Sequence, residues 1–234
     1  MAIKRRASKP ESTSTIEYEN LPEGEHEGRL AYVADLGLHT NEYKGEAKDD
    51  VQKLALGIEV VGSSVTIDGE EHPRLLWCDP FNIYFTMTDK GKEVLLYQVF
   101  DPDAVAGVEA DWDAVIGTPC NLKVVHRKGK GDKKDEVYDN VAGITPIPAK
   151  YQDGVAAARI TDGCTGDCED ANNPAQKALF GLAKWQFDQR IVEGAEDAPE
   201  KEAPKVVPEK EEELFESPSA DEGDGPDWDD DIPF

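Results

Sequence analysis

Hydrophobic and polar residues alternate along much of the first two thirds of the chain, and this alternation predicts β-strands. The clearest case is residues 51–62, where apolar Leu54, Leu56, Ile58 and Val60 are separated by Lys53, Ala55, Gly57 and Glu59. Segments of the same kind predict four further strands at residues 26–38, 73–88, 118–128 and 137–148. The 73–88 segment is rich in aromatic residues and is interrupted at Asp79-Pro80.

Between the third and fourth predicted strands the pattern changes. Residues 89–100 include apolar Val94, Leu95 and Val99, and Thr88 is a suitable N-cap, so we predict a helix there, with a strand as the alternative. Residues 101–117 predict a loop with one helical turn. Three strands, a helical connection and two strands are the order of an OB-fold, a five-stranded Greek-key barrel that commonly binds oligonucleotides. We therefore predict a mainly β protein with an OB-fold over residues 26–148.

The segment 149–193 is predicted to contain a polar stretch and then one helix. Asn173 suits the N-cap and Pro174 the first turn, while Gly194 is a typical C-terminal stop. An apolar stripe along this helix consists of Phe180, Ala183, Phe187 and Ile191, flanked by Leu179 and Leu182. Such a stripe must be buried, so the helix is expected to dock on the barrel or on a second copy of the chain.

Charge divides the chain unevenly. The 234 residues carry a formal net charge of −25, and residues 194–234 hold 16 acidic and three basic residues, a net charge of −13. Few apolar residues accompany these charges, so residues 194–234 are expected to form a disordered acidic tail. Residues 1–25 are predicted to be a mobile arm with a basic tip, because MAIKRRASKP has four positive residues and no acidic one.

Several classes of protein do not fit the sequence. No stretch approaches the roughly 18 apolar residues that a membrane span needs, and the N-terminus has no apolar secretory core. Four cysteines are too few for a disulfide scaffold of this length, so we expect a cytoplasmic protein. No catalytic motif is present, which predicts a protein that is not an enzyme and has no cofactor.

One pair of cysteines offers an alternative. Cys164 and Cys168, in the sequence CTGDC, could supply two zinc ligands if Cys78 and Cys120 converged on them in the fold. Two free thiols in a polar loop are the simpler interpretation, and we predict no metal site. A zinc-dependent nuclease or accessory factor remains the alternative function that this pair would support.

Aromatic and basic residues share the predicted barrel. From Cys120 to Lys134 there are six basic residues and one acidic residue. Cations neutralise the phosphates of a single strand, and flat rings stack on its bases. The predicted DNA-binding residues are Tyr43, Lys44, Lys53, Arg74, Trp77, Tyr84, Phe85, Lys123, Arg127, Lys128 and Tyr138. The alternative is that the rings belong to the core and the lysines to a solvated loop.

The chain ends in DWDDDIPF, residues 227–234. This ending closely resembles the C-terminal tip of bacterial single-stranded DNA-binding proteins, in which an OB-fold binds the strand and an acidic tail presents the tip to replication, recombination and repair enzymes. The resemblance implies a partner-binding role for Trp228, Asp229, Asp230, Asp231, Ile232, Pro233 and Phe234. Phe234 would fill an apolar pocket, and its carboxylate would pair with a basic residue beside it.

The body of the chain does not resemble the tetrameric domain of the bacterial proteins. Segments such as ADLGLHTNEYKGEAK and KVVHRK…VYDNVAGITPIP are more similar to phage-encoded single-stranded DNA-binding proteins. The resemblance implies sequence-independent binding and protection of single strands in the host cytoplasm, recruitment of host enzymes by the tip, and self-association on DNA if the 173–193 helix docks on a neighbour. The alternative is a decoy that captures host repair proteins without binding DNA.

Overall fold

The computed structural model describes residues 16–17, 19–89, 91–129 and 134–192, all within the unit 1–193. These residues form a mainly β protein with few helices, as predicted. The strands are β1 (Ile16–Glu17), β2 (Gly24–Tyr43), β3 (Glu46–Ile67), β4 (Glu70–Trp77), β5 (Phe81–Ile83), β6 (Pro119–Lys128), β7 (Val137–Pro146) and β8 (Cys164–Gly166). The α-helices are α1 (Lys92–Tyr97), α2 (Ala149–Gln152), α3 (Pro174–Lys177) and α4 (Gly181–Asp188). No helix in the described part of the chain is long and apolar enough to span a membrane.

The strands form one open sheet in the order β1-β3-β2-β6-β7, with β4 and β5 also paired to β3. These seven strands pair antiparallel, and the short β8 adds to β2 in parallel. Beyond the named strands, a single parallel bridge joins Cys78, just after β4, to Val141 in β7. The two flanks of the sheet therefore meet at one point without a continuous ladder between them.

The predicted strands are all present, with different lengths. β2 and β3 extend into a long two-stranded ribbon that turns at Lys44 and Gly45, whose φ angles are 55° and 80°. Two successive positive φ angles fit the right-handed twist of a hairpin, so the predicted polar connection is part of the ribbon. The third predicted strand ends at Trp77 and resumes only for β5. A 3₁₀ turn at Asp113–Val115 occupies the loop where one helical turn was predicted.

One core lies on the inner face of the sheet. Leu30, Leu56, Ile58, Leu122 and Val124 are fully buried in it, so β2, β3 and β6 all contribute. β2 and its neighbours approach closely at Gly28, where an added Cβ would lie 2.6 Å from side-chain atoms of both Ile58 and Leu122. Glycine at this position allows the β2 backbone to lie this close to the Ile58 and Leu122 side chains.

A buried ion pair connects β4 to β7. Arg74 Nη1 lies 3.1 Å from Asp139 Oδ2, and both side chains are almost wholly buried. The Leu21 amide donates to the same carboxylate oxygen at 3.1 Å, and Arg74 also donates to the Glu19 carbonyl. The predicted mobile arm therefore does not extend to residue 25: β1 pairs with the end of β3, Leu21 is buried, and β2 begins at Gly24.

A second core lies on the outer face of β2 and β3. Residues of β2 and β3 pack there against residues 149–192, which we call the C-terminal segment. The buried residues of this core are Ala31, Tyr32, Ala34, Leu36, Ala55, Ala175, Leu179, Ala183 and Phe187. Both faces of β3 are consequently covered. Glu59, which the alternation had placed on a polar face, is buried and accepts hydrogen bonds from the Arg159 and Ile160 amides.

The single helix predicted from residue 173 is two short helices. Asn173 caps α3 as predicted, because its side chain accepts a 2.8 Å hydrogen bond from the Ala175 amide. The helical run then breaks at Gly181, which has a φ of 57°. The break changes which residues face the sheet: Leu179 is buried, whereas Phe180 is about half exposed. The segment docks on its own sheet.

Replacing Phe187 with alanine should lower the free energy of unfolding by about 3–5 kcal/mol. The Phe187 ring is buried in the second core and lies 3.9 Å from the Arg190 guanidinium, so truncation leaves a cavity and removes that contact. Urea denaturation measures the loss. Phe180→Ala is the matched control and should cost less than about 1 kcal/mol, because its ring is half exposed. Equal losses would mean that α4 is not docked.

Candidate nucleic-acid interface

The outer face of the β6–β7 hairpin combines basic residues with an aromatic ring. Leu122 and Val124 point into the first core, so the alternation of the strand turns Lys123 and Arg127 outward. Arg127 is directly opposite Tyr138 in the β6–β7 register. Lys123, Arg127 and Tyr138 therefore share one exposed face, and the structure brings together three of the predicted residues.

Lys128 continues this surface at the end of β6. It pairs with Val137 in the register and is exposed, as is Lys134 after the connection. Lys130 and Lys133 of the predicted basic run lie outside the described residues. The strand pair thus carries cations both on its outer face and at the end where the chain turns from β6 to β7.

In the described part of the chain, the acidic residues beside these cations are solvent-exposed. Arg127 Nη1 lies 3.3 Å from Asp79 Oδ2, with both side chains substantially exposed. Lys123 is opposite Glu25 in the β2–β6 register, and Glu25 is also exposed. Exposed ion pairs contribute only about 0–1 kcal/mol to stability. A phosphate can therefore replace either carboxylate at small cost.

Two further aromatic residues of the predicted DNA-binding set are solvent-exposed directly after β5. The exposed fraction is 57% for Tyr84 and 89% for Phe85, which is unusual for side chains of this size. β5 begins two residues after Asp79, the ion-pair partner of Arg127, and ends with Ile83 paired to Gln52 of β3. It therefore leads from the basic end of β6 towards the β2–β3 ribbon, with both rings at its end.

Three predicted DNA-binding residues have partners within the fold: Arg74 is buried, and Lys53 and Trp77 are partly buried. Arg74 is buried in its ion pair with Asp139. Trp77 stacks on Tyr32, with ring centroids 6.4 Å apart, and its Nε1 donates a 3.0 Å hydrogen bond to the Ala178 carbonyl. Lys53 Nζ donates to Gln186 Oε1 of α4 at 2.9 Å, and burial lowers its pKa. Both Lys53 and Trp77 thus form a hydrogen bond with the C-terminal segment, so both contribute to packing within the fold.

Tyr43 and Lys44 lie elsewhere. Tyr43 is the last residue of β2, and Lys44 begins the exposed turn at the tip of the β2–β3 ribbon. β6 pairs with the opposite end of β2, from Gly24 to Arg29. The Lys44 turn and the β6–β7 connection thus lie at opposite ends of β2, and β5 pairs with residues 52–54 of β3.

The cysteines fall into two separate pairs. Cys78 and Cys120 belong to the first core, while Cys164 and Cys168 pack against the second core on the other face of the sheet. All four are free thiols, and the four-cysteine zinc set of the alternative interpretation is not assembled. The two pairs cannot meet because the sheet separates them.

One group of candidate metal ligands occurs among the described residues. Ligand atoms of Asp35, Asp167 and Cys168 lie within 4.8 Å of one another. Burial, followed by the nearby Asp35 carboxylate, raises the pKa of Cys168 to about 11, so the thiol is protonated at neutral pH. Asp35 also accepts hydrogen bonds from the Gly37 amide and from Gln52. The Asp35 carboxylate of this group is thus already engaged in hydrogen bonds.

Two aromatic substitutions should separate binding from packing. Tyr84→Ala should weaken binding to all single strands alike, by about 1–3 kcal/mol, because it removes one stacking surface. Trp77→Ala should instead lower the free energy of unfolding by about 2–4 kcal/mol, because its ring packs between Tyr32 and the C-terminal segment. Fluorescence titration and urea denaturation of both variants measure the two quantities. A loss of affinity in Trp77→Ala without a loss of stability would contradict this placement.

Comparison with known proteins does not assign a family: no protein-family model matches the chain, and no curated protein matches it. Function is therefore inferred from the geometry above and from the chain's own sequence.

Proposed function

We propose that the protein binds single-stranded DNA without sequence preference, and that it protects the strand during replication, recombination and repair. It acts by binding and not by catalysis, in the cytoplasm, which is the host cytoplasm for a phage-encoded protein. The C-terminal tip recruits host enzymes of DNA metabolism to the coated strand. Three lines of support come from the strand topology, the exposed surface and the terminal sequence.

Within this proposal the sheet is a partly open OB-fold. β2, β3, β4 with β5, β6 and β7 take the roles of its five strands, and the C-terminal segment is an addition. Support comes from the order in which these strands pair and from the Cys78–Val141 bridge between the flanks. In OB-folds the loops after the first and fourth strands flank the bound oligonucleotide. Here those loops are the Lys44 turn and the β6–β7 connection.

The observation that carries the proposal is the exposed face of Lys123, Arg127 and Tyr138. Each cation that neutralises a phosphate releases condensed counterions, and this release favours binding most at low salt. Tyr138, Tyr84 and Phe85 offer rings on which bases of any identity can stack. A strand running from the β6–β7 connection along β5 would meet these cations and rings in turn.

The tip acts separately from this face. Residues 228–234 lie outside the described residues, so the role proposed for them is inferred from the sequence alone. The Phe234 ring supplies an apolar anchor, and its terminal carboxylate can accept a charge-assisted hydrogen bond. The aspartates at 229–231 would be attracted to basic residues around the partner's pocket. A protein that carries both surfaces brings repair enzymes to the strand that it covers.

A titration of the full-length chain tests the proposal. Oligonucleotides of dT, dA and mixed sequence, and a duplex of equal length, are titrated at several salt concentrations. We expect similar affinities for all unstructured single strands, weaker duplex binding and a steep decrease with salt. If no strand is bound even at low salt while partners are still captured, the protein is a decoy that only sequesters repair enzymes.

A further inference from the structure

A cleft of about 710 Å³ lies beside β5, between β2, β3 and the loops around α1. Five carboxylates line it: Asp35, Asp50, Glu93, Glu109 and Asp167. Three aromatic rings line it as well: Tyr84, Phe85 and Trp112. None of the described residues around it is a lysine, arginine or histidine. We call this feature the acidic cleft.

The charge of the acidic cleft is not balanced from within. Asp50, Glu109 and Asp167 are exposed at its mouth. Glu93 is only 6% exposed, and burial raises the pKa of its carboxyl group. Its hydrogen-bond partners are the Trp112 side chain and the Tyr84 backbone, and neither of them is charged. No described residue of the lining therefore supplies a positive charge to balance these carboxylates.

The chemistry of the acidic cleft selects a basic peptide. Lysine and arginine side chains can pair with the carboxylates and can also lie over the faces of the aromatic rings. A phosphate would be repelled, so a DNA strand that stacks on Tyr84 and Phe85 at the rim does not enter the cleft. The ligand class is therefore distinct from that of the proposed DNA-binding face.

The chain contains one segment that fits this requirement. Residues 1–10, MAIKRRASKP, carry Lys4, Arg5, Arg6 and Lys9 with no acidic residue. They lie outside the described residues, ahead of β1. The other basic run is held in the β6–β7 hairpin, where it forms the proposed DNA-binding face. In a chain with a net charge of −25, residues 1–10 are the complementary partner for the acidic cleft.

The position of β1 favours a cleft on another molecule. Ile16 pairs with Ile67 at one end of β3, whereas the cleft is lined by residues 50–52 and 54 near the other end. From Ile67 to Gln52 the strand covers about 50 Å of contour. From Ile16 to Arg5 the chain reaches at most about 40 Å when fully extended. An arm of the same copy that followed the strand would thus fall about 10 Å short even when fully extended.

We propose that residues 1–10 of one copy bind in the acidic cleft of the next copy. The contact joins two different surfaces, so it is head-to-tail and leaves one arm and one cleft free at the ends of every open assembly. Contacts of this kind extend in a line unless they close into a ring. The inference does not depend on DNA binding, because the association is measurable without DNA. On a coated strand the same contact would align neighbouring copies in one direction.

Three full-length variants test the contact. In the arm variant Lys4, Arg5, Arg6 and Lys9 are each replaced by glutamine. The cleft variant carries Asp50→Asn, Glu109→Gln and Asp167→Asn. The matched control carries Glu70→Gln, Asp153→Asn and Glu169→Gln, three exposed carboxylates that do not line the cleft. Sedimentation velocity without DNA, at low and at high salt, measures the association of each protein.

We expect the unaltered chain to form oligomers that grow with concentration at low salt. The arm and cleft variants should each lower the association constant about tenfold or more, while the matched control should not. Neutralising carboxylates reduces the net negative charge, so a loss in the cleft variant has no origin in general repulsion. An equimolar mixture of the arm and cleft variants should form a complex that stops at two chains, because one intact arm meets one intact cleft.

Several results would overturn the inference. A chain that stays monomeric at low salt places the arm elsewhere or in its own cleft. Equal losses in the cleft variant and the matched control show that the cleft has no special part. If association disappears on removal of residues 194–234 but survives in the cleft variant, the arm binds the acidic tail instead. Each of these outcomes leaves the DNA titration unaffected, so the two proposals fail independently.

Discussion

Reversing Lys123, Arg127 and Lys128 to glutamate in one chain should weaken binding to unstructured single strands about 100-fold or more at low salt. The three residues lie at the basic end of the β6–β7 hairpin, and none of them is buried. A glutamate at position 127 would also face Asp79, its present ion-pair partner, so the variant adds repulsion where a phosphate should bind. The salt dependence should become less steep by about two units in the logarithmic slope, since each single-strand contact contributes about 0.7.

A matched triple substitution distinguishes this face from total charge. Lys150, Lys177 and Lys184 are exposed on the C-terminal segment, away from the hairpin. Their reversal changes the net charge by the same amount and should alter affinity only modestly. Equal losses in both triples would show that binding follows net charge alone. An unchanged salt slope in the first triple would remove the hairpin from the proposed interface.

Deleting Phe234 should abolish the capture of host partners and leave DNA affinity within about twofold. The deletion removes the apolar anchor and moves the terminal carboxylate onto Pro233, while every acidic side chain of residues 194–234 remains. Removing residues 194–234 altogether should abolish capture as well, but should also tighten DNA binding at low salt. We expect the sixteen acidic residues of this segment to compete with phosphates for the basic face, and salt to screen the competition.

Pull-down of host replication and repair proteins with each form measures capture, and strand titration measures affinity. A deletion of Ser219 is the control, because it shortens the same segment by one residue and keeps the terminal sequence intact. It should behave as the unaltered chain does. If the chain without Phe234 still retains the same partners, the tip is not the recognition element. If removal of residues 194–234 leaves low-salt affinity unchanged, the acidic residues do not reach the basic face.

The strands could be predicted from the sequence because their inner face keeps a strict alternation. Leu122 and Val124 are buried, and Lys123 is exposed, as a half-buried strand requires. Arg74 lies on the inner face with Leu76, where its ion pair with Asp139 buries it. For Trp77, on the other face, the same argument failed. It assumes that the second face of a strand meets water, whereas the second core covers that face of β3 and β4. Burial by a segment about a hundred residues later in the chain leaves no local signal.

The C-terminal helices show a different limit. The cap at Asn173 was predictable because it depends on neighbouring residues only. The break at Gly181 was not, since the apolar spacing continues across it. Glycine inside a helix costs only about 1 kcal/mol, which packing of Leu179 and Phe187 against the sheet outweighs. Tertiary contacts therefore determine which residues on either side of the break face the sheet, and they leave Phe180 half exposed.

The junction between β4 and β7 gives the sheet a preferred place to open. One backbone bridge, Cys78 to Val141, and one buried ion pair, Arg74 to Asp139, hold it, whereas β2 and β3 share a ladder along most of their length. Segments with few hydrogen bonds exchange their amide hydrogens through local fluctuations long before the whole domain unfolds. A ligand spanning Arg127 on one side and Tyr84 on the other would restrain that breathing motion. The sheet would then be at its most rigid when a ligand is bound.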